Sequence, residues 1–348
     1  MNKKHSIFIV TVLALVLLPI VWPDPYVLSV TASAGIFIVA AISLNLLLGF
    51  TGQLSLGHVA FFGLGAYVTS LMSLGFDVTL WGMDEPLMVE AKPVWLSFIC
   101  GILFAGLAGF LLGKLSFRVR GAYFVIVSIS FAQVMRMVSL NWVDLTEGPM
   151  ALNNIPPLTL WVPGEGVIEL VSKSSTYWLV LAVGVLAYLL VAALVHSRVG
   201  RAMIALRENE TLARSVGIRV THYLSIATVF AAAIAGAAGG LYAHTVRIID
   251  PDVFMFMFTI TMVIMVIIGG KGTLAGPVVG GLIFGLLPEA MRGLLSPEVQ
   301  WMIYGVLMIA ILVFMPKGLV PALNGYAKRF SSSDKQLAPA AAARKVSA

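Results

Sequence analysis

Ten stretches of this chain are apolar enough to cross a lipid bilayer, at 7–22, 27–48, 58–76, 94–113, 121–140, 177–195, 224–243, 254–270, 275–291 and 299–315, and no other feature narrows the fold so far. A hydrocarbon core about 30 Å thick takes roughly 20 apolar residues in a helix. Inside it every backbone N–H and C=O must find a partner within the protein, which makes runs of this length helices. The expected fold class is an all-α polytopic membrane protein with about ten transmembrane helices. The runs 254–270 and 275–291 are short and only Lys271–Leu274 divides them, so they read as tilted or partly re-entrant and the count is eight to ten. Charged residues make up 11% of the chain. Soluble domains hold about a quarter, so a soluble globular protein is excluded.

The basic residues orient the runs. With the N-terminus in the cytosol and each run crossing once, 17 of the 22 Lys and Arg residues fall on the cytosolic side, whereas 13 of the 16 Asp and Glu residues do not. The positive-inside rule reads that Lys/Arg asymmetry as N-in and C-in, with an even number of spans. The net charge of +6 follows from this distribution. The bases are spread along the cytosolic rim with no soluble domain to present them, so no nucleic acid is expected as a partner. At the N-terminus, lysines followed by an apolar core imitate a secretory signal. The bulky Ile20-Val21-Trp22-Pro23 offers no cleavage site, and the run reads as an uncleaved first span. A single cysteine, Cys100, inside a span, excludes an internal disulfide and a thiolate metal site.

Two domains follow: a membrane domain at 1–320, carrying a charged cytosolic loop at 196–223, and a Ser/Ala/Lys-rich tail at 321–348 that reads as disordered. The outer loops 77–93 and 141–176 are acidic and rich in turn residues, and read as irregular. Their acidity fits either a soluble partner or plain solvation. Small residues recur four apart at Gly109/Gly113, Ala232/Gly236/Gly240, Gly276/Gly280 and Gly281/Gly285. Rows of this kind let helix backbones approach closely, so a Gly-rich, tightly packed bundle is expected.

The loop at 196–223 holds five arginines (Arg198, Arg201, Arg207, Arg214, Arg219) and still has helical periodicity. Gly200–Arg207 reads as a continuation of the preceding span. Asn209 can cap a second short helix with Glu210 in its first turn, Glu210 and Arg214 form an i,i+4 pair, and Gly217 stands where a left-handed cap belongs. Leu212, Ala213 and Val216 then share one face. A helix of under ten residues is marginal alone in water and needs a docking surface. Charge by itself also fits simple anchoring at the cytosolic face.

Between the second and third runs lies Asn45-Leu46-Leu47-Leu48-Gly49-Phe50-Thr51-Gly52-Gln53-Leu54-Ser55-Leu56-Gly57-His58, with three glycines and several polar side chains. Non-helical backbone at membrane depth is tolerated where it is buried in protein or lines a water-filled cavity, and transporters place their pathways at interrupted helices. An ordinary turn between two helices is the other reading. Arg136 and Glu289 lie within spans, where charge is costly, and either pair with each other or snorkel from the span ends. Gly269-Gly270-Lys271-Gly272-Thr273 imitates a phosphate loop but lacks its spacing, with Met265 where the first glycine belongs. No HExxH or GxSxG motif occurs, so no enzymatic activity and no metal site are expected.

NLLLGFTGQLSLGHVAFFGLGAY, the stretch Ile268–Pro277 and GRAMIALRENETLARSVGI occur here in that content and resemble the signatures of the branched-chain amino acid ABC transporter permeases, of the LivM and LivH types. The resemblance runs from about Ala34 to Pro316. It implies the transmembrane permease subunit of an importer in a bacterial plasma (inner) membrane. The expected partners are membrane lipid, a second homologous LivH-like permease, two cytosolic ABC ATPases that bind the ATP, and a periplasmic or extracellular substrate-binding protein; the chain itself needs no cofactor. On this resemblance Arg201, Arg207, Glu208, Asn209, Glu210, Ala213, Arg214 and Gly217 are the expected ATPase-coupling residues. Asn45, Gly52, Gln53, Ser55, Gly57 and His58 are the expected pathway residues. The general importer pattern is Glu-Ala-Ala-x-x-x-Gly. This chain reads Thr211-Leu212-Ala213-Arg214-Ser215-Val216-Gly217, matching only at Ala213 and Gly217, with its acid one place earlier at Glu210. A urea or short-amide permease of the same fold is the alternative, and an ion-coupled secondary transporter a more distant one.

Overall fold

The computed structural model describes residues 15–78, 87–116, 123–162, 166–291 and 296–323. Most of these are helical. Helix α1 (Pro25–Asn45) starts where Asp24 accepts a hydrogen bond from the Tyr26 N–H, with Pro25 in the first turn. It widens into a π-helical turn at Leu46–Thr51 and ends at Gly52, whose φ of 75° is the left-handed region. The rod therefore runs to Thr51, and the break expected from Asn45 onward is confined to 52–58. Helix α2 (Val59–Leu74) follows, then α3 (Val94–Ser116), α4 (Tyr123–Asn141) and α5 (Lys173–His196). The charged loop folds as α6 (Arg198–Glu208) and α7 (Glu210–Ser215). The long α8 (Val220–Val246), the short α9 (Phe256–Gly269) and α10 (Gly276–Ala290), and α11 (Pro297–Phe314) complete the bundle.

Five helical stretches among the described residues are long and apolar enough to span a membrane: Pro25–Thr51, Val94–Leu115, Tyr123–Asn141, Lys173–His196 and Val220–Val246. α2, α9 and α10 are apolar but shorter. At 1.5 Å per residue a helix of 14 residues rises about 21 Å, well under the bilayer core. The expected shortness of the 254–270 and 275–291 runs is thus visible as two helices of 14 and 15 residues joined by a tight turn at 270–275. Much of the first apolar run and most of the tail at 321–348 lie outside the described residues.

α1 and α8 form the buried centre, with α2 and α3 packed on α8, and α5, α9 and α10 around α1. The small-residue rows mark the closest approaches. A Cβ on Gly236 would meet Ala105 on α3 and Gly65 on α2, and one on Gly239 would meet the Phe62 carbonyl. The two rows on α10 serve two neighbours: Gly276 and Gly280 lie against the Gly270 and Met265 carbonyls, Gly281 and Gly285 against Ile38 and Ala34 of α1. Close backbone contact of this kind supplies the van der Waals packing that holds helices together where lipid removes any hydrophobic drive.

The outer loops carry more structure than their composition suggests. Strands β1 (Phe76–Val78) and β2 (Leu87–Val89) pair antiparallel, as do β3 (Thr159–Val162) and β4 (Gly166–Glu169). Leu152 bridges to Ile249, and Pro156 accepts a hydrogen bond from His244 Nδ1, tying this layer to the end of α8. The alternation that marks a strand is too short in three- and four-residue ladders to stand out among turn residues.

Candidate functional site

The three stretches singled out in the sequence meet at one end of the bundle. Asn45, 1% exposed in the last turn of α1, donates from Nδ2 to the Thr273 carbonyl at 2.9 Å, and its Oδ1 accepts from the Gly272 N–H at 3.0 Å. One amide side chain thus satisfies two backbone groups of the α9–α10 turn. Gly49 packs directly on that turn. Asn45→Ala leaves both backbone groups unpaired and is expected to cost about 1–3 kcal/mol. A lowered midpoint of thermal unfolding in detergent checks it, and an unchanged midpoint would show that other contacts hold the turn.

Arg207, in the last turn of α6, reaches the same place. Its Nη1 donates to the Gly49 carbonyl at 2.7 Å, while Nε and Nη2 donate to Glu208. The carbonyl is free to accept because the π-turn and the left-handed Gly52 end the helix there, and the last carbonyls of a helix have no intrahelical partner. Gly52 lies under the aliphatic stem of Arg207. The charged loop and the helix break are therefore in direct contact.

Past Gly52 the chain runs under α4. The Gly57 N–H donates to Ser128 Oγ at 3.2 Å, and a Cβ at Gly57 would fall on the Ser128 carbonyl. His58 Nε2 and Ser43 Oγ lie 2.7 Å apart, and the Val59 N–H donates to Thr259 Oγ1 at 3.2 Å, so α1, α4 and α9 all hold the break. Ser55 and His58 are fully buried, and Ser55 Oγ and His58 Nδ1 have no hydrogen-bond partner among the described residues. Gln53 is half-buried. Of the expected pathway residues, Asn45 is a bracket between elements, Gly52 and Gly57 are contact points, and Ser55 and His58 are buried polar groups inside the break.

The charged loop is built much as its capping residues dictate, with two differences. Ser197 breaks the chain: its Oγ accepts from the Val199 and Gly200 N–H groups and starts α6 afresh, so 200–207 is a new helix and not an extension of α5. Arg201 folds back to donate to the His196 carbonyl that ends α5. Asn209 Oδ1 caps α7 by accepting from Leu212 N–H at 3.0 Å, and Arg214 pairs with Glu210 at 2.9 Å. At the far end the Ile218 N–H bonds to the Ala213 carbonyl and the Gly217 N–H to that of Arg214, with Gly217 at φ 87°. That is a Schellman closure, which glycine adopts without the steric cost of a Cβ. The second difference is Ala213, which does not share a face with Leu212 and Val216. It is buried against Leu206 and Leu224, whereas Leu212 and Val216, 63% and 70% exposed, point outward together.

Arg136 pairs with Asp252, at 2.8 Å, in the short 3₁₀ turn Pro251–Phe254 before α9. The pairing with Glu289 expected as one alternative falls on a side chain outside the described residues. The signal for Asp252 was weak because its turn sits between two apolar runs, with no periodicity to place it. Among the described residues no group of three His, Cys, Asp or Glu side chains gathers as a metal site would.

Known proteins resemble the chain over nearly its whole length. It is 28% identical to the high-affinity branched-chain amino acid transport system permease protein LivM of Escherichia coli K12, over 91% of this chain and 75% of that protein. It is 29% identical to the LivH permease protein of Salmonella typhimurium, over 80% and 89%. A probable LivM of Methanocaldococcus jannaschii is 23% identical over 82% and 91%. No solved structure matches. Residues 26–312 match the family described as the branched-chain amino acid transport system permease component, and the chain belongs to that family.

Proposed function

We propose that this protein is the transmembrane permease subunit of an ABC importer, translocating leucine, isoleucine or valine handed over by an extracytoplasmic binding protein. The observation that carries the mechanism is the contact of Arg207 with the Gly49 carbonyl, which joins the charged loop to the broken helix. On the positive-inside reading this end is cytosolic. ATP binds to two separate cytosolic ATPases, and a second, LivH-like permease completes the path in a bacterial inner membrane. The chain contributes no bond chemistry. Family membership favours branched-chain amino acids over urea or short amides, and an ion-coupled transporter has no use for a capped docking helix.

Leu212 and Val216 form the surface on which the ATPase docks. An i,i+4 pair of exposed aliphatic side chains on a six-residue helix gains stability when a cleft covers it. Leu212→Asp together with Val216→Asp is expected to abolish co-purification of the ATPase while the permease stays folded in the membrane, since neither side chain is part of the internal packing. Undiminished co-purification would count against docking here. The broader test is uptake by reconstituted vesicles: leucine uptake that needs ATP, the ATPase and the binding protein supports the importer, and uptake without ATP overturns it.

A further inference from the structure

α4 is the least buried of the five spanning helices together with α5, yet its mean hydropathy, 1.6, is the lowest of the five. Its exposed face carries Ser130, Gln133 and Asn141 among apolar residues. Gln133 is near the middle of the helix, and its amide bonds to no described group. An unpaired amide facing lipid is costly, and polar groups within spans normally face a bundle interior or a water-filled cavity. The exposed face of α3 is a contrast: Leu103, Leu107, Leu111 and Leu115 stand out from it, as expected for lipid.

Ser130, Gln133 and Arg136 are spaced three apart and so are neighbours along one ridge of α4. The ridge ends at the Arg136–Asp252 pair, whose side chains are 30% and 54% exposed. Only its Nη2 bonds to Asp252, so the Arg136 guanidinium, 30% exposed, has donor capacity beyond that bond. A guanidinium and a carboxylate side by side present one charge of each sign. A zwitterionic α-amino acid carries the same two, and can give its carboxylate to Arg136 and its ammonium to Asp252. An uncharged amide cannot replace both partners. We infer that the exposed face of α4 lines a water-filled path and that the Arg136–Asp252 pair at its outer end receives the two opposite charges of an amino-acid cargo. The inference rests on the importer reading and adds the wall of the path and the chemistry that meets the cargo. The break at Gly57 packs on the opposite, buried side of the same helix, at Ser128, so movement of the break reaches this wall.

The single cysteine makes the test clean. In a Cys100→Ala background, Ser130→Cys, Gln133→Cys and the lipid-side controls Leu107→Cys and Leu111→Cys are treated in the assembled transporter with a charged, water-borne methanethiosulfonate. Reaction at 130 and 133 at least tenfold faster than at the controls is expected. Rates equal to the controls would overturn the inference, since the face would then lie against lipid or another subunit. This readout needs no transport, so it does not depend on the importer reading, which fails separately if wild-type uptake ignores ATP. In the second arm, Arg136→Gln and Asp252→Asn are each expected to lower leucine uptake at least tenfold with the thermal midpoint and ATPase co-purification kept. Unchanged uptake, or a loss of uptake matched by a collapse of the midpoint, would overturn the role of the pair.

Discussion

Gly57→Leu is expected to prevent assembly of the permease, and even Gly57→Ala to lower its thermal midpoint sharply and abolish uptake. The nearest atoms to a Cβ at Gly57 are the Ser128 carbonyl oxygen and carbon and the Ile129 nitrogen, all backbone of α4. A side chain can rotate away from an intruding methyl group; a helix backbone cannot without the whole helix moving. Overpacking at a rigid site costs about 1–3 kcal/mol and occasionally more. The Gly57 N–H bond to Ser128 Oγ would be lost in the same displacement. The check is yield and thermal unfolding of purified Gly57→Ala beside wild type. An alanine variant as stable as wild type, with normal uptake, would show that α4 is not held against the break.

Arg207→Ala is expected to keep the ATPase bound and to lose uptake at least tenfold. Arg207 lies in α6, while Leu212 and Val216, the proposed docking residues, lie on α7 and at its C-cap, beyond the Asn209 cap. Removing Arg207 therefore spares the docking surface. It removes the charge-assisted bond to Gly49, of a kind worth about 1.5–3 kcal/mol, and the stem that covers Gly52. Arg207→Lys is expected to restore little, because an ammonium cannot keep the fork that bonds Gly49 and Glu208 together. The assay is co-purification together with leucine uptake in vesicles. Loss of the ATPase with Arg207→Ala would mean that α6 and α7 dock as one unit.

Local chemistry made parts of this arrangement legible in the sequence. The α7 cap at Asn209, the Glu210–Arg214 pair and the Gly217 closure are fixed by interactions within a few residues, and each stands where the residues put it. The shortness of the 254–270 and 275–291 runs was likewise visible, and both fold as short helices. What periodicity does not carry is which side of a short helix faces inward when neighbours on both sides are helical. Ala213 is buried because Leu206 and Leu224, from two other helices, close over it. Ser197 ended α5 where helical periodicity ran on, because a capping serine acts through one oxygen and leaves the apolar pattern intact. The convergence of Asn45, Gly49, Arg207 and Gly272 joins residues more than 150 positions apart and is fixed by tertiary packing. A lone amide at Asn45 in an apolar run, and a glycine-rich turn at 269–273, were the only local signs of it. Arg136 was conspicuous as a charge in a span, but its partner Asp252 sits in a turn whose place beside α4 follows from the fold.

The break at 52–58 carries no regular secondary structure, and Ser55 and His58 are buried within it. Arg207 holds one edge of the break and α4 the other.

In the mechanism we propose, the charged loop drives the broken helix through Arg207. The most direct measurement is ATP hydrolysed per leucine taken up, in vesicles holding the complete transporter, for wild type and Arg207→Ala. The variant is expected to hydrolyse ATP at a substantial rate while moving at least tenfold less leucine per ATP. An unchanged ratio, with hydrolysis and uptake falling together or not at all, would contradict it.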